Sequence, residues 1–356
     1  MNGTVRGKLA EFGKCVQMNE SGVMYSSKEL IIRDDRRVRL SIYKKSNESK
    51  DKIYAEDDFS FSRKRVYKDF RLFLDNKMGI HSKRLLRGVP NDIETFEATV
   101  FQLAGCNLRC WYCYVDDELM SPKNGVNSTW VSIAEMIDVL DDESEALKII
   151  DLSGGQPDMA PEWCLWVMEE LERRSLRGRA FIWMDDNLLT TDNMFEQLSS
   201  QEVSYIAHYP LHSRVGCFKG FNEASFRFNT GSEVYTLEDQ FKNFEKLYNA
   251  GFELYAYITL TPEPGNYNYK EVEDFIMRIM SIHPMLPLRV IPIEIKPFHA
   301  TKKRMSPVRE QSLLEQFDVY KIWDGIMESI FGDLRDIPYE TVKIFEKCNL
   351  ENNSNQ

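Results

Sequence analysis

Histidine is scarce and long apolar runs are missing. Five histidines are few but enough for one to serve as a metal ligand, and no stretch approaches the roughly eighteen consecutive apolar residues of a membrane-spanning helix. The N-terminus lacks a basic region followed by an apolar core and a small-residue cleavage site, so a cytoplasmic protein without membrane contact is expected. Positive charge is in deficit: 45 Lys and Arg stand against 56 Asp and Glu, a formal net charge of −11. That disfavours bulk phosphate binding and nucleic acid as a partner, while leaving room for a local basic face. No internal repeat and no long low-complexity segment interrupt the chain. The seven cysteines are an odd number, and Cys15, Cys164, Cys217 and Cys348 are scattered, which excludes a disulfide framework and fits a reducing compartment. What the sequence does have is apolar and aromatic mass, 43% and 12% of 356 residues, enough for one large core or two ordinary ones.

Along the chain the texture changes near residue 94. Residues 1–93 read as an N-terminal extension, basic in "RDDRRVRLSIYKK" and "SRKRVYKDFR", in which "ELII" and "RVRLSIY" flank a turn as in a half-buried hairpin. From 94 to 300, apolar strands alternate with amphipathic helices. "TFEATVFQLAG", "LKIIDLSGG", "RAFIWMDDN", "VSYIAHYP", "FELYAYITLT" and "LRVIPIEI" read as six strands. Helices fall near 133–140, 161–174, 191–199, 236–250 and 272–279. The fourth of these carries Thr236 and Asp239 at capping-box spacing and stops at Gly251. Residues 301–356 read as a helix near 308–331 followed by a disordered tail. Strand–helix alternation implies an α/β fold with parallel pairing through right-handed crossovers, as an open doubly wound sheet or a barrel, and in either form chemistry collects at the carboxyl ends of the strands.

At the end of the first strand stands "AGCNLRCWYCYV", which sets Cys106, Cys110 and Cys113 in one loop. Thiolates select zinc, copper(I) or iron–sulfur clusters. A structural zinc site needs a fourth protein ligand brought from elsewhere, and the alternative reading of the chain is such a non-catalytic metal-binding module for structure or sensing. A four-iron cluster can instead be held by three cysteines with one iron left open.

The order Cys106-x-x-x-Cys110-x-Tyr112-Cys113 after the first strand of a β/α series resembles the signature of radical S-adenosylmethionine (radical SAM) enzymes. "SGGQP", Ser153, Gly154, Gly155, Gln156 and Pro157, resembles the glycine-rich motif of that family, in which the backbone receives the amino group of the cofactor's methionine. The family usually has Glu where this chain has Gln156. "CFKGFNEASFRFNTG" resembles the segment after strand four in activating enzymes for glycyl-radical proteins, such as those of pyruvate formate-lyase, and this puts Lys219 near the methionine carboxylate. Asn187 occupies a place where the family often has an asparagine facing the cofactor. The resemblance, over about 94–296, implies a partial (β/α)6 TIM-type barrel and a [4Fe–4S] cluster on Cys106, Cys110 and Cys113. It implies S-adenosylmethionine bound by Tyr112, Ser153 to Pro157, Asn187 and Lys219, and an oxidoreductase that makes a 5′-deoxyadenosyl radical for hydrogen abstraction. It also implies an electron donor of the flavodoxin or ferredoxin kind and a protein or peptide among the candidate substrates. On this reading a Cβ at Gly154 or Gly155 obstructs the cofactor without touching the cluster, and the Gln156 side chain matters less. Asp185 and Asp186 are either substrate contacts or solvated strand-end carboxylates, and Glu263 is either a ribose contact or a turn cap. His208 is a core histidine or a cofactor contact, and Cys217 is a small buried hydrophobe.

Overall fold

A computed structural model describes residues 29–42, 60–66, 97–120, 127–140, 148–337 and 341–345, together with Pro122 and the strand pieces 16–18, 24–26 and 54–55. Cys15, Cys348 and the tail 351–356 lie outside the described residues.

The N-terminal part supplies short antiparallel pieces. Strands β1 (Val16–Met18) and β2 (Met24–Ser26) pair with each other. Across the turn at Arg33–Arg36, β3 (Ile31–Ile32) pairs with β4 (Arg37–Ser41), as the alternation of Val38 and Leu40 with polar neighbours requires. Strands β5 (Tyr54–Ala55) and β6 (Ser62–Val66) pair antiparallel, and β6 runs antiparallel to β7 (Glu97–Phe101). The extension therefore continues the main sheet at its β7 edge. A further strand, β8 (Ser128–Ser132), leaves the β/α series to pair with β4.

From β7 onward the order is regular. Strands β9 (Lys148–Leu152), β10 (Ala180–Asp186), β11 (His212–Phe218), β12 (Leu254–Thr259) and β13 (Val290–Ile293) follow β7 side by side, every pairing parallel. The helices between them are α1 (Ile133–Asp138), α2 (Glu162–Arg173), α3 (Thr191–Gln197), α4 (Ser200–Ala207), α5 (Glu223–Thr230), α6 (Leu237–Asn249) and α7 (Tyr269–Ile282). A long helix, α8 (Pro307–Phe331), follows the last strand. Six parallel strands with covering helices are a partial (β/α)6 barrel, and all six residues of β12 are buried, as a strand covered on both faces must be. Helix α6 begins at the Thr236–Asp239 capping box and is followed by Gly251 at φ 87°. Its Phe241 and Phe244, with Phe275 of α7, close on Phe218 of β11 at ring separations of 5.0–5.3 Å.

The fourth strand is not where hydropathy puts it. "VSYIAHYP" is helix α4 and its exit, and the strand is the more polar "HSRVGCF". The overlooked sign is Ser199 and Glu202, whose side chains form a reciprocal capping box at the start of α4. The true strand hides because it buries Arg214 and His212, charged or polar residues that hydropathy assigns to the surface.

Candidate active site

A cavity of about 450 Å³ opens where the parallel strands end. The loop after β7 brings Cys106, Cys110, Tyr112 and Cys113, the β9 turn brings Gly154, Gly155 and Gln156, β10 brings Asp185, Asp186 and Asn187, and β11 brings Cys217 and Lys219. The apolar mouth carries Tyr114, Val115, Met120, Ile293, Ile295 and Phe298 beside a Glu294–Lys296 ion pair.

The cysteine loop has no regular secondary structure, so side chains hold its backbone. Arg109 donates to the carbonyls of Cys106 and Leu108, both at 2.8 Å. Trp111 Nε1 donates to Asn229 Oδ1 at 3.0 Å, and the Tyr112 hydroxyl meets Thr259 Oγ1 at 3.0 Å at the end of β12. Arg304, from the segment before α8, donates to the carbonyls of Cys113 and Val115 at 2.8 and 2.7 Å. Burial raises the Cys110 thiol and pushes the Cys113 thiol up to about 12. Without a metal both are protonated at neutral pH, so loading the site releases protons.

The glycine turn is built against this loop. Gly154 and Gly155 have φ of 83° and 67°, which favours glycine. A Cβ on Gly155 would fall on the carbonyl oxygens of Leu103 and Gly105, and one on Gly154 would fall on the Gln102 side chain. Gln156 N donates to Gly105 O at 2.8 Å. This corrects the sequence expectation: a side chain at Gly155 collides first with the backbone leading into Cys106, so it disturbs the cysteine loop as well as the glycine turn. Ser153 and Pro157 do not line the cavity. Ser153 is fully buried with no hydrogen-bond partner for its Oγ among the described residues, and Pro157 opens a short 3-10 turn.

The Gln156 side chain is committed to the protein. Its Nε2 donates to Asp186 Oδ1 at 2.7 Å and Thr190 Oγ1 at 2.9 Å, and its Oε1 accepts from Asn187 N at 2.9 Å. Asp186 also accepts from Leu188 N, Thr191 and Arg214. A residue facing this acceptor must donate, which gives a physical reason for an amide at 156; a glutamate would need its proton. Arg214 bridges Asp186 at 3.1 Å and Asp158 at 2.6 Å, with all three side chains at 1% exposure or less. Burial pushes the Asp158 carboxyl up to about 8 against the pull of Arg214.

Asn187 Nδ2 donates to Asn107 Oδ1 at 2.6 Å and lies 3.9 Å from the Cys106 sulfur. Gln240 of α6, which carries no sequence signal, ties Asn187 O, Cys217 O and Lys219 N together. Lys219 Nζ makes no ion pair among the described residues. Burial opposes its charge, but the anionic forms of Tyr112, Cys217, Cys110 and Cys113 outweigh that and hold the ammonium above its ordinary range. Cys217 lines the cavity, with burial pushing its thiol up to about 12. Asp186 is fully buried and not a solvated strand end, whereas Asp185 lines the cavity and accepts from Trp183 Nε1. Glu263 lies off the cavity and accepts from Asn266 across a turn. His208 is exposed at the end of α4, contrary to a core placement. His212 is buried, its Nδ1 donating to Ile182 O, and burial lowers it to about 3.

The family model of the radical SAM superfamily matches residues 102–279, half of the chain. The chain belongs to the radical SAM superfamily. Members of this superfamily use a [4Fe–4S] cluster and S-adenosylmethionine. Three thiols beside one cavity fit a cluster that three cysteines can hold. The glycine turn, with no Cβ between backbone and cavity, fits the methionine head. Among solved structures, anSMEcpe with bound AdoMet and Cp18Cys peptide is similar at 12% identity, over 64% of this chain and 59% of that one, with a TM-score of 0.42. A spore photoproduct lyase variant is similar at 10% identity over 71% and 79%, with a TM-score of 0.43. Streptococcus suis SuiB bound to precursor peptide SuiA is similar at 12% identity over 51% and 36%, with a TM-score of 0.36. The matched part thus spans less than two thirds of SuiB and of anSMEcpe. No curated protein matches the sequence. No helix among the described residues is long and apolar enough to cross a membrane.

Proposed function

We propose that this radical SAM chain is a single-cluster enzyme of the activating-enzyme type that abstracts hydrogen from a protein or peptide. The observation that carries the reading is the meeting of the three thiols, the glycine turn, Asn187 and Lys219 at one cavity. Cys106, Cys110 and Cys113 would hold the cluster and leave one iron to the amino acid head of S-adenosylmethionine. When bound, these groups supply a one-electron cleavage that yields methionine and a 5′-deoxyadenosyl radical. The chain's own residues do the rest. Gly154 and Gly155 present main chain to the methionine amino group, and Lys219 offers its ammonium to the carboxylate. Asn187, pinned by Asn107 and Gln240, fixes the β10 end against the Cys106 loop. The apolar mouth excludes water from a reactive carbon centre and suits an inserted side chain. A low-potential donor of the flavodoxin or ferredoxin kind supplies the electron.

Anaerobic reconstitution tests the reading. About four irons and four sulfides per chain are expected, with slow formation of 5′-deoxyadenosine and methionine after dithionite reduction. A fully loaded, reduced protein that binds S-adenosylmethionine yet never yields 5′-deoxyadenosine would refute it, as would one bound zinc in place of iron.

A further inference from the structure

We infer that Arg304 is a positioning residue for the cluster, one that holds the cysteine loop and makes the cluster easier to reduce; this rests on the cluster assignment above. Arg304 lies outside the matched residues 102–279, yet its guanidinium reaches back to the loop. It donates to Cys113 O at 2.8 Å, Val115 O at 2.7 Å and Cys110 O at 3.4 Å. Two of those three carbonyls belong to cysteines of the motif. Its side chain is 11% exposed, while that of its ion-pair partner Asp117, at 3.0 Å, is 55% exposed. The carboxylate is therefore screened by water and the guanidinium is not, so the loop experiences a net positive charge. A second grip comes from Arg309, which donates to Arg304 O and stands 5.8 Å from the Trp111 ring.

Two effects follow. The planar fork donates to the Cys113 and Val115 carbonyls and adds to the Cys113 N–H that Cys110 O already accepts, and its fixed geometry serves these points at once. Its charge favours the cluster's reduced form, which carries one more negative charge, because net charge and hydrogen bonding around a cluster set its potential.

Arg304→Gln, Arg304→Lys and Asp117→Asn proteins, reconstituted anaerobically, would be compared by redox titration followed by electron paramagnetic resonance and by iron loss to a chelator. Arg304→Gln is expected to lower the reduced-to-oxidised ratio about tenfold at a fixed solution potential, a 59 mV shift for one electron, and to lose iron faster. Arg304→Lys should keep the potential near that of the parent but still lose iron faster. Asp117→Asn should shift the potential upward, and it tests the charge argument even if the Arg304 variants fail to fold. Unchanged potentials in Arg304→Gln or in Asp117→Asn overturn the inference, whatever happens to the iron, because any loosened loop sheds iron. A parent protein that takes up no iron would instead defeat the cluster assignment itself.

Discussion

Replacing Gly155 by alanine tests how the cofactor cradle and the metal loop are joined. Two costs add at this position. The residue sits at φ 67°, where an L side chain costs about 1–2 kcal/mol. The new Cβ would also fall on the carbonyls of Leu103 and Gly105, and forcing a methyl group into close packing costs about 1–3 kcal/mol. The sum is about 2–5 kcal/mol. Gly178 provides the control, since its φ of 75° is similar but a Cβ there meets nothing within 4 Å, so Gly178→Ala should cost only the first term, about 1–2 kcal/mol. Urea denaturation of the metal-free proteins gives the stability difference, and iron bound per chain after reconstitution gives the effect on the loop. Gly155→Ala should be the less stable of the two and should bind less iron, because the obstruction lies on the backbone leading to Cys106. If the two variants were equally stable and equally loaded, the glycine turn would not rest on the cysteine loop, and the argument would fail.

Alanine at Cys106, Cys110 or Cys113 should abolish the broad visible absorption of the reconstituted protein, whereas Cys164→Ala, buried in α2 away from the cavity, should leave it intact. Gln156→Ala strands the Asn187 N–H and a donor-seeking Asp186, at about 1–3 kcal/mol for each group left unpaired, measurable in the same denaturation experiment. Gln156→Glu should be stabler in acid than at neutral pH, because its carboxyl needs a proton to donate to Asp186. Asp158 is raised from 3.8 to about 8 in the folded chain, so the native state holds a proton that the unfolded state gives up. Its contribution is complete below about pH 4 and fades as pH rises to about 8. His212, lowered from 6.5 to about 3, works in the opposite sense and costs stability as pH falls through that window. Above pH 6.5 the Asp158 slope is the one of the pair that persists, and Asp158→Asn should remove it from the stability–pH profile.

Much of the barrel can be read from local pattern. The helix at 237–249 announces itself through Thr236, Asp239 and Gly251, and the strands that bury both faces are plain apolar runs. The fourth strand was lost because Arg214 belongs to an ion trio whose acids lie 28 and 56 residues earlier in the chain, and no local window shows that a charge is neutralised inside. The cysteine spacing marks the loop that lines the cavity, since its three thiols are neighbours in sequence. What holds that loop is invisible for the opposite reason: Gln240, Asn229 and Arg304 act on it or beside it through hydrogen bonds that span long stretches of sequence. The glycine motif was placed at the right strand end, but its neighbours in space were not legible, and so the collision at Gly155 was assigned to the cofactor alone.

The distance along the chain between Arg304 and the loop it holds has a consequence for biosynthesis. The bond from Arg304 to Cys113 O spans 191 residues. At translation rates of about 5–20 residues per second, the three thiols leave the ribosome roughly 10–40 seconds before the arginine that fixes their backbone is made. For that interval the loop can gain the contacts of Arg109, Asn229 and Thr259 but not the fork on the Cys113 and Val115 carbonyls. The last clamp on the cysteine loop is thus set only when the chain is nearly finished.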